Sequence, residues 1–171
     1  MSISMAEASI DVFVPYLGNL TALLDRAAEH AERRRIDPAI LLGMRLSPNM
    51  FNLTRQVCEA NRHVMLGCAL LAGQAAPAVL ETEADVAELK RRIGAAIDYV
   101  QALPRDALEA SADRAVVFTF RNGATRTFTG RSLLLTFTLP QFFFHVTTAY
   151  DILRHAGVEL IKKDFLGPPL T

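Results

Sequence analysis

The stretch Leu139–Val158, LPQFFFHVTTAYDILRHAGV, carries two histidines, His145 behind three phenylalanines and His155 just before a glycine. Histidine titrates near neutral pH and is the commonest metal ligand. His145 therefore admits three readings: metal ligand, general base, or hydrogen-bonded group of an apolar interior. Gln141 stands one helical turn earlier, so its amide lies beside the imidazole. His155 falls where a helix C-terminus favours a cationic or hydrogen-bonding side chain, a structural role. Glu59 and His63 are an i,i+4 pair on the polar side of another candidate helix. That spacing can hold a metal, but it is commoner as a surface pair and is so assigned. His30 lies in the charged run EHAERRR and reads as solvated. Asn61 falls inside an apolar stripe, where an unpaired amide would cost about 1–3 kcal/mol.

Several chemistries lack their motifs. The chain has no HExxH, HxxxH, glycine-rich phosphate loop or GxSxG. Cys58 and Cys68 are ten residues apart on one helix, about 15 Å of rise, beyond the ~7 Å Cα separation of a disulfide. They read as buried thiols, and a Cys–His nucleophile has no positive support. Lys+Arg and Asp+Glu are equal at 18 each among 171 residues. This balance gives no reason to expect nucleic acid, whose phosphates require a basic surface. With 51% hydrophobic residues the chain is an ordinary folded protein. No run approaches the ~18 apolar residues of a membrane span, and no signal-peptide pattern is present. The expectation is a cytoplasmic protein of one domain, residues 1–171.

These residues must be positioned by helices. Phe13, Tyr16, Leu17, Leu20, Leu23 and Leu24 predict a first helix over Ser4–Arg35, with Pro15 as a kink or a late start. Asp37-Pro38 can open a short helical turn. Ser47-Pro48 predicts the start of a second helix running to Ala72, stopped by Gly73. Thr82 is the expected cap of a third, Glu83–Leu103, ended by Pro104. Ala115–Phe120 and Thr125–Thr129 flank Asn122-Gly123, a hairpin signal. The fourth helix follows Gly130 and ends at Ala156, bent at Pro140, with an extended tail beyond. The pattern predicts an all-α, up-down-type four-helix bundle with a β-hairpin inserted between helices three and four.

Leu46–His63 (LSPNMFNLTRQVCEANRH), Leu139–Val158 and Lys162–Gly167 (KKDFLG) resemble the DinB/YfiT-like superfamily of bacterial four-helix proteins, and within it an uncharacterised domain-of-unknown-function family. The resemblance covers nearly the whole chain. It implies a pocket where many members hold a divalent metal, zinc or nickel, on three histidines. His145 takes the place of the last histidine, Gln141 that of the first in HxxxH, and Gln56 that of the helix-two histidine, with Asn61 as the alternative there. Amide oxygens are poorer ligands than imidazoles for these metals. The implied pocket is therefore degenerate, suited to a small molecule, with no cofactor firmly expected. The long apolar helices and the phenylalanine cluster suit helix-to-helix self-association, so a homodimer is expected. The resemblance leaves two competitors: a metal-dependent thiol transferase or isomerase with His145 as ligand, and a stress-linked interaction module using the hairpin and tail.

Overall fold

The structure, a computed structural model, describes residues 3–78 and 85–168. Four long amphipathic helices form, each with its stripe turned inward. The first is interrupted, contrary to expectation. A short helix α1 (Met5–Ala8) is closed by a Ser4–Glu7 capping box, and α2 (Ile10–Arg34) follows. The break falls at Ser9, whose hydroxyl donates to the Met5 carbonyl at 2.6 Å. Helix α2 runs on through Pro15, which withholds only the donor to the Asp11 carbonyl. Asp37-Pro38 does open a short helix, α3 (Pro38–Gly43), with the Ala39 N–H donating to Asp37 Oδ1.

Helix α4 (Leu53–Ala72) starts five residues later than Ser47-Pro48 predicts. Asn52 is the working cap, accepting from the Arg55 N–H at 3.0 Å, while Ser47 donates to Asn49 within the preceding turn. Both sequences satisfy the same capping rule, and the tertiary bond from the Leu53 N–H to the Met44 carbonyl favours the second. Helix α5 (Val86–Gln101) is capped by Asp85, which accepts from the Glu88 N–H. Thr82 and Glu83 lie outside the described residues. Pro104 ends that segment as expected but also opens an unforeseen short helix, α6 (Arg105–Glu109).

Strands β1 (Ala115–Thr119) and β2 (Thr125–Thr129) pair antiparallel, Ala115 opposite Thr129. Phe120 and Ala124 close a three-residue loop with Gly123 at φ +83°, a type I turn with a glycine bulge and not a two-residue turn. The chain then enters α7 (Gly130–Leu133), a π-helical turn over Leu134–Thr138, and α8 (Leu139–His155). A bend within one helix is expected at Pro140; the structure instead places Pro140 in the first turn of α8, where its missing N–H is tolerated, directly after a π turn in which the Leu139 N–H reaches back five residues to the Leu134 carbonyl. Gly157, at φ +86°, terminates α8 as expected. The tail is not extended throughout; it holds α9 (Lys162–Leu166), whose Phe165 ring packs against Tyr16 and Tyr150.

The result is the four-helix bundle of α2, α4, α5 and α8 with the hairpin inserted between the last two. Helix α4 lies against both α5 and α8. One core joins Phe13, Leu17, Leu20, Val57, Val64, Leu89, Ile93, Phe142 and Leu153. Phe13 and Phe142 meet edge to face at 5.0 Å. The hairpin is pinned by Phe118, Phe120 and Phe128, which surround Phe137 of the π turn at 4.7, 5.9 and 5.7 Å. No helix among the described residues is long and apolar enough to cross a membrane.

Candidate functional site

Helix α4 turns Gln56, Glu59 and His63 to one side, at spacings of three and four. That side faces α8 and the hairpin and is not a solvated face. Glu59 and His63 are only 3% and 6% exposed, so the expected surface pair is a buried one. His145, 6% exposed, comes in from α8, and its ring stacks on that of His63 with centroids 5.5 Å apart.

The hydrogen bonds assign each group's protons. Gln56 donates its Nε2–H to the Phe51 carbonyl at 3.1 Å, which leaves Oε1 to face His145. An amide oxygen only accepts. His145 Nδ1 therefore carries the proton and donates to Gln56 Oε1 at 2.7 Å, and Nε2 keeps its lone pair. His63 Nε2 lies 3.1 Å from Arg62 Nη2; a guanidinium only donates, so this nitrogen is the acceptor. Glu59 is enclosed by cations. Its Oε1 takes Arg55 Nη2 at 2.8 Å and Arg121 Nη2 at 2.7 Å, and its Oε2 takes Arg62 Nε at 2.7 Å. Arg121 is delivered from the hairpin loop, so β1–β2 and the bundle meet on one buried carboxylate. Burial, chiefly, holds His63 down to about 3, with help from Arg62, His145 and Arg121. Burial also holds His145 down to about 4, against the opposing pull of Glu59. Both rings are neutral near pH 7.

Glu59, Arg62, His63, Arg121 and His145 line a cavity of about 470 Å³, open to solvent, with Phe51, Phe118, Phe120 and Phe137 as its apolar wall and Gln141 also in its lining, while Gln56 stands behind His145 and does not line it. Asn61, the alternative pocket residue, does not line it. It lies some 200° round α4 from Glu59, on the stripe of Val57, Val64 and Cys68. It is 2% exposed, and neither amide atom has a hydrogen-bond partner among the described residues. His30 is buried too, at 5% exposure, where a solvated side chain was expected. His155 is exposed at the end of α8, and Cys58 and Cys68 are buried free thiols, as expected of the two cysteines.

Glu59, His63 and His145 form a buried group of ligand-type side chains that could hold a metal, with one ligand atom from each within 4.8 Å of the others. As arranged, the donors do not fit a divalent cation. Glu59 Oε2 and His63 Nε2, 3.9 Å apart, both serve Arg62. A dication about 5 Å from a single guanidinium is repelled by roughly 7 kcal/mol at an effective dielectric near 20, and three guanidiniums surround this carboxylate. Sequence reasoning missed Glu59, Arg62 and His63 as site residues. The signal was present: Gln56, Glu59 and His63 repeat at helical spacing, but an all-polar stripe reads as solvent-facing unless an opposing wall is known. Arg121 carried no signal, because its contact spans 62 residues.

A protein-family model, "Domain of unknown function (DUF1993)", matches residues 5–166. The curated proteins contain no match. A crystal structure of a DinB family member protein from Shewanella denitrificans superposes with a TM-score of 0.88 at 35% sequence identity, covering 95% of this chain and 92% of that one. With the model spanning almost all of the bundle and a DinB relative sharing its fold, the chain belongs to the DUF1993 family of DinB-like proteins.

Proposed function

We propose that the protein binds a small organic molecule in the cavity between the hairpin and the α4–α8 face. The observation that carries this is the Phe51–Gln56–His145 relay. It fixes one tautomer of a cavity-lining imidazole and leaves Nε2 as an acceptor opposite an aromatic wall. Such a floor suits a flat, largely apolar ligand with one hydrogen-bond donor. A thermal-shift screen of phenols, indoles and benzimidazoles is expected to give stabilising compounds whose effect disappears in His145→Ala. Compounds that stabilise the variant equally, or none that stabilise the wild type, would defeat the proposal.

The same proposal takes the protein as a cytoplasmic homodimer. The exposed Ile40, Phe51, Leu135 and Phe144 supply apolar surface for self-association. Light scattering at micromolar concentration is expected to give twice the 18.8 kDa chain mass. A monomer removes the dimer and leaves the pocket untouched. A zinc- or nickel-dependent thiol transferase or isomerase is supported by the proximity of three ligand-type side chains. It would require Glu59 and His63 to surrender Arg62, so we place it second.

A further inference from the structure

We infer that Arg62 is a built-in cation that takes the metal's place among Glu59, His63 and His145, so that this pocket works without a metal ion. A divalent ion at such a group does two things: it neutralises the carboxylate and it orders the imidazoles by accepting their lone pairs. Arg62 does both with one side chain. Its Nε donates to Glu59 Oε2 at 2.7 Å and its Nη2 donates to His63 Nε2 at 3.1 Å. The Glu59 contact is local, at the i,i+3 spacing that α4 itself brings together, whereas helix geometry turns adjacent residues apart, so the His63 contact depends on the guanidinium reaching across from its place beside Glu59. The side chain is held in the pocket wall, 20% exposed. The third donor, His145, is oriented by Gln56 and needs no ion to fix its tautomer.

The substitution changes what the cavity can recognise. A guanidinium offers N–H donors and a single charge, but no empty coordination position. A ligand here meets donors from Arg62 and an acceptor at His145, so it is selected by hydrogen bonding and not by a metal-binding thiolate. This consequence for the ligand rests on the pocket proposed above; the role of Arg62 does not.

Zinc titration, followed by competition with a chromophoric chelator, separates the two, because it involves no organic ligand. Wild-type protein is expected to show no His145-dependent zinc site. Arg62→Met should gain one zinc per chain, bound at least about a hundredfold tighter than by wild type, and the gain should vanish in Arg62→Met/His145→Ala. Arg62→Lys, which keeps the charge, should remain without zinc. A wild-type site that needs His145, or a folded Arg62→Met that gains nothing, overturns the inference. If Arg62→Met does not fold alone, refolding with zinc gives the same decision: rescue supports the inference and no rescue overturns it.

Discussion

Gln56 shows how one side chain can be located from sequence and still have a different role. Its resemblance-based place was that of a lost ligand, whereas in the structure it holds the ligand-type residue instead, through Nδ1 of His145. Helical phase alone could not reveal this, since the relay depends on the Phe51 carbonyl in an irregular turn. Gln56→Ala strands a buried N–H and is expected to cost about 1–3 kcal/mol in urea denaturation. It should also mix the two His145 tautomers, visible in imidazole nitrogen NMR shifts. Asn61 predicts the opposite sign. Its buried amide has no partner among the described residues, so Asn61→Ala removes an unsatisfied group and improves helix propensity. The expected gain is about 1 kcal/mol, read as a higher urea midpoint, and a loss would show that the amide is satisfied in solution.

At the scale of elements, α4 and the π turn meet closely at Gly67. A Cβ on Gly67 would sit 2.4 Å from Thr138 Cγ2. Thr138 is β-branched and 1% exposed, so it has no room to turn aside. Gly67→Ala is therefore expected to destabilise by about 1–3 kcal/mol, with loss of cavity geometry, where the same change in a solvent-facing helix would stabilise. Calorimetry decides the sign. The helices themselves were readable, because their apolar stripes recur over many turns: Phe13–Leu24 in α2 and Val57–Leu71 in α4 are buried as spaced. Their ends were less readable. Ser47 and Asn52 are both competent caps, and only the Leu53–Met44 bond chooses between them. The tail helix α9 escaped notice because five residues are too short to show a period.

Across the whole molecule, the two neutral histidines couple the site to stability. An unfolded chain protonates a histidine near 6.5, whereas His63 and His145 resist protonation down to about 3 and about 4. Between those values and 6.5 the unfolded state binds more protons, so stability must fall as pH falls and level off above 6.5. The limiting slope is about 1.4 kcal/mol per pH unit for each histidine. Urea midpoints should drop from pH 7 to pH 5, and His63→Gln should flatten the profile; a wild-type profile without slope there would contradict the burial of both rings. This coupling was invisible in sequence, where Glu59 and His63 looked like an ordinary surface pair. A further consequence concerns chain length. An i→i−5 turn is an α turn with one residue too many, and here the surplus falls in Leu134–Thr138. Deleting the half-exposed Leu135 would remove that surplus residue and change the phase of the segment before α8 relative to α8 and His145, with Pro140 still withholding its own N–H from the ladder. It would also re-aim Phe137, the ring that gathers the hairpin phenylalanines and His63. The shape of the cavity wall is thus tied to a one-residue difference in helix length, a change that insertion and deletion can make without touching any polar group of the site.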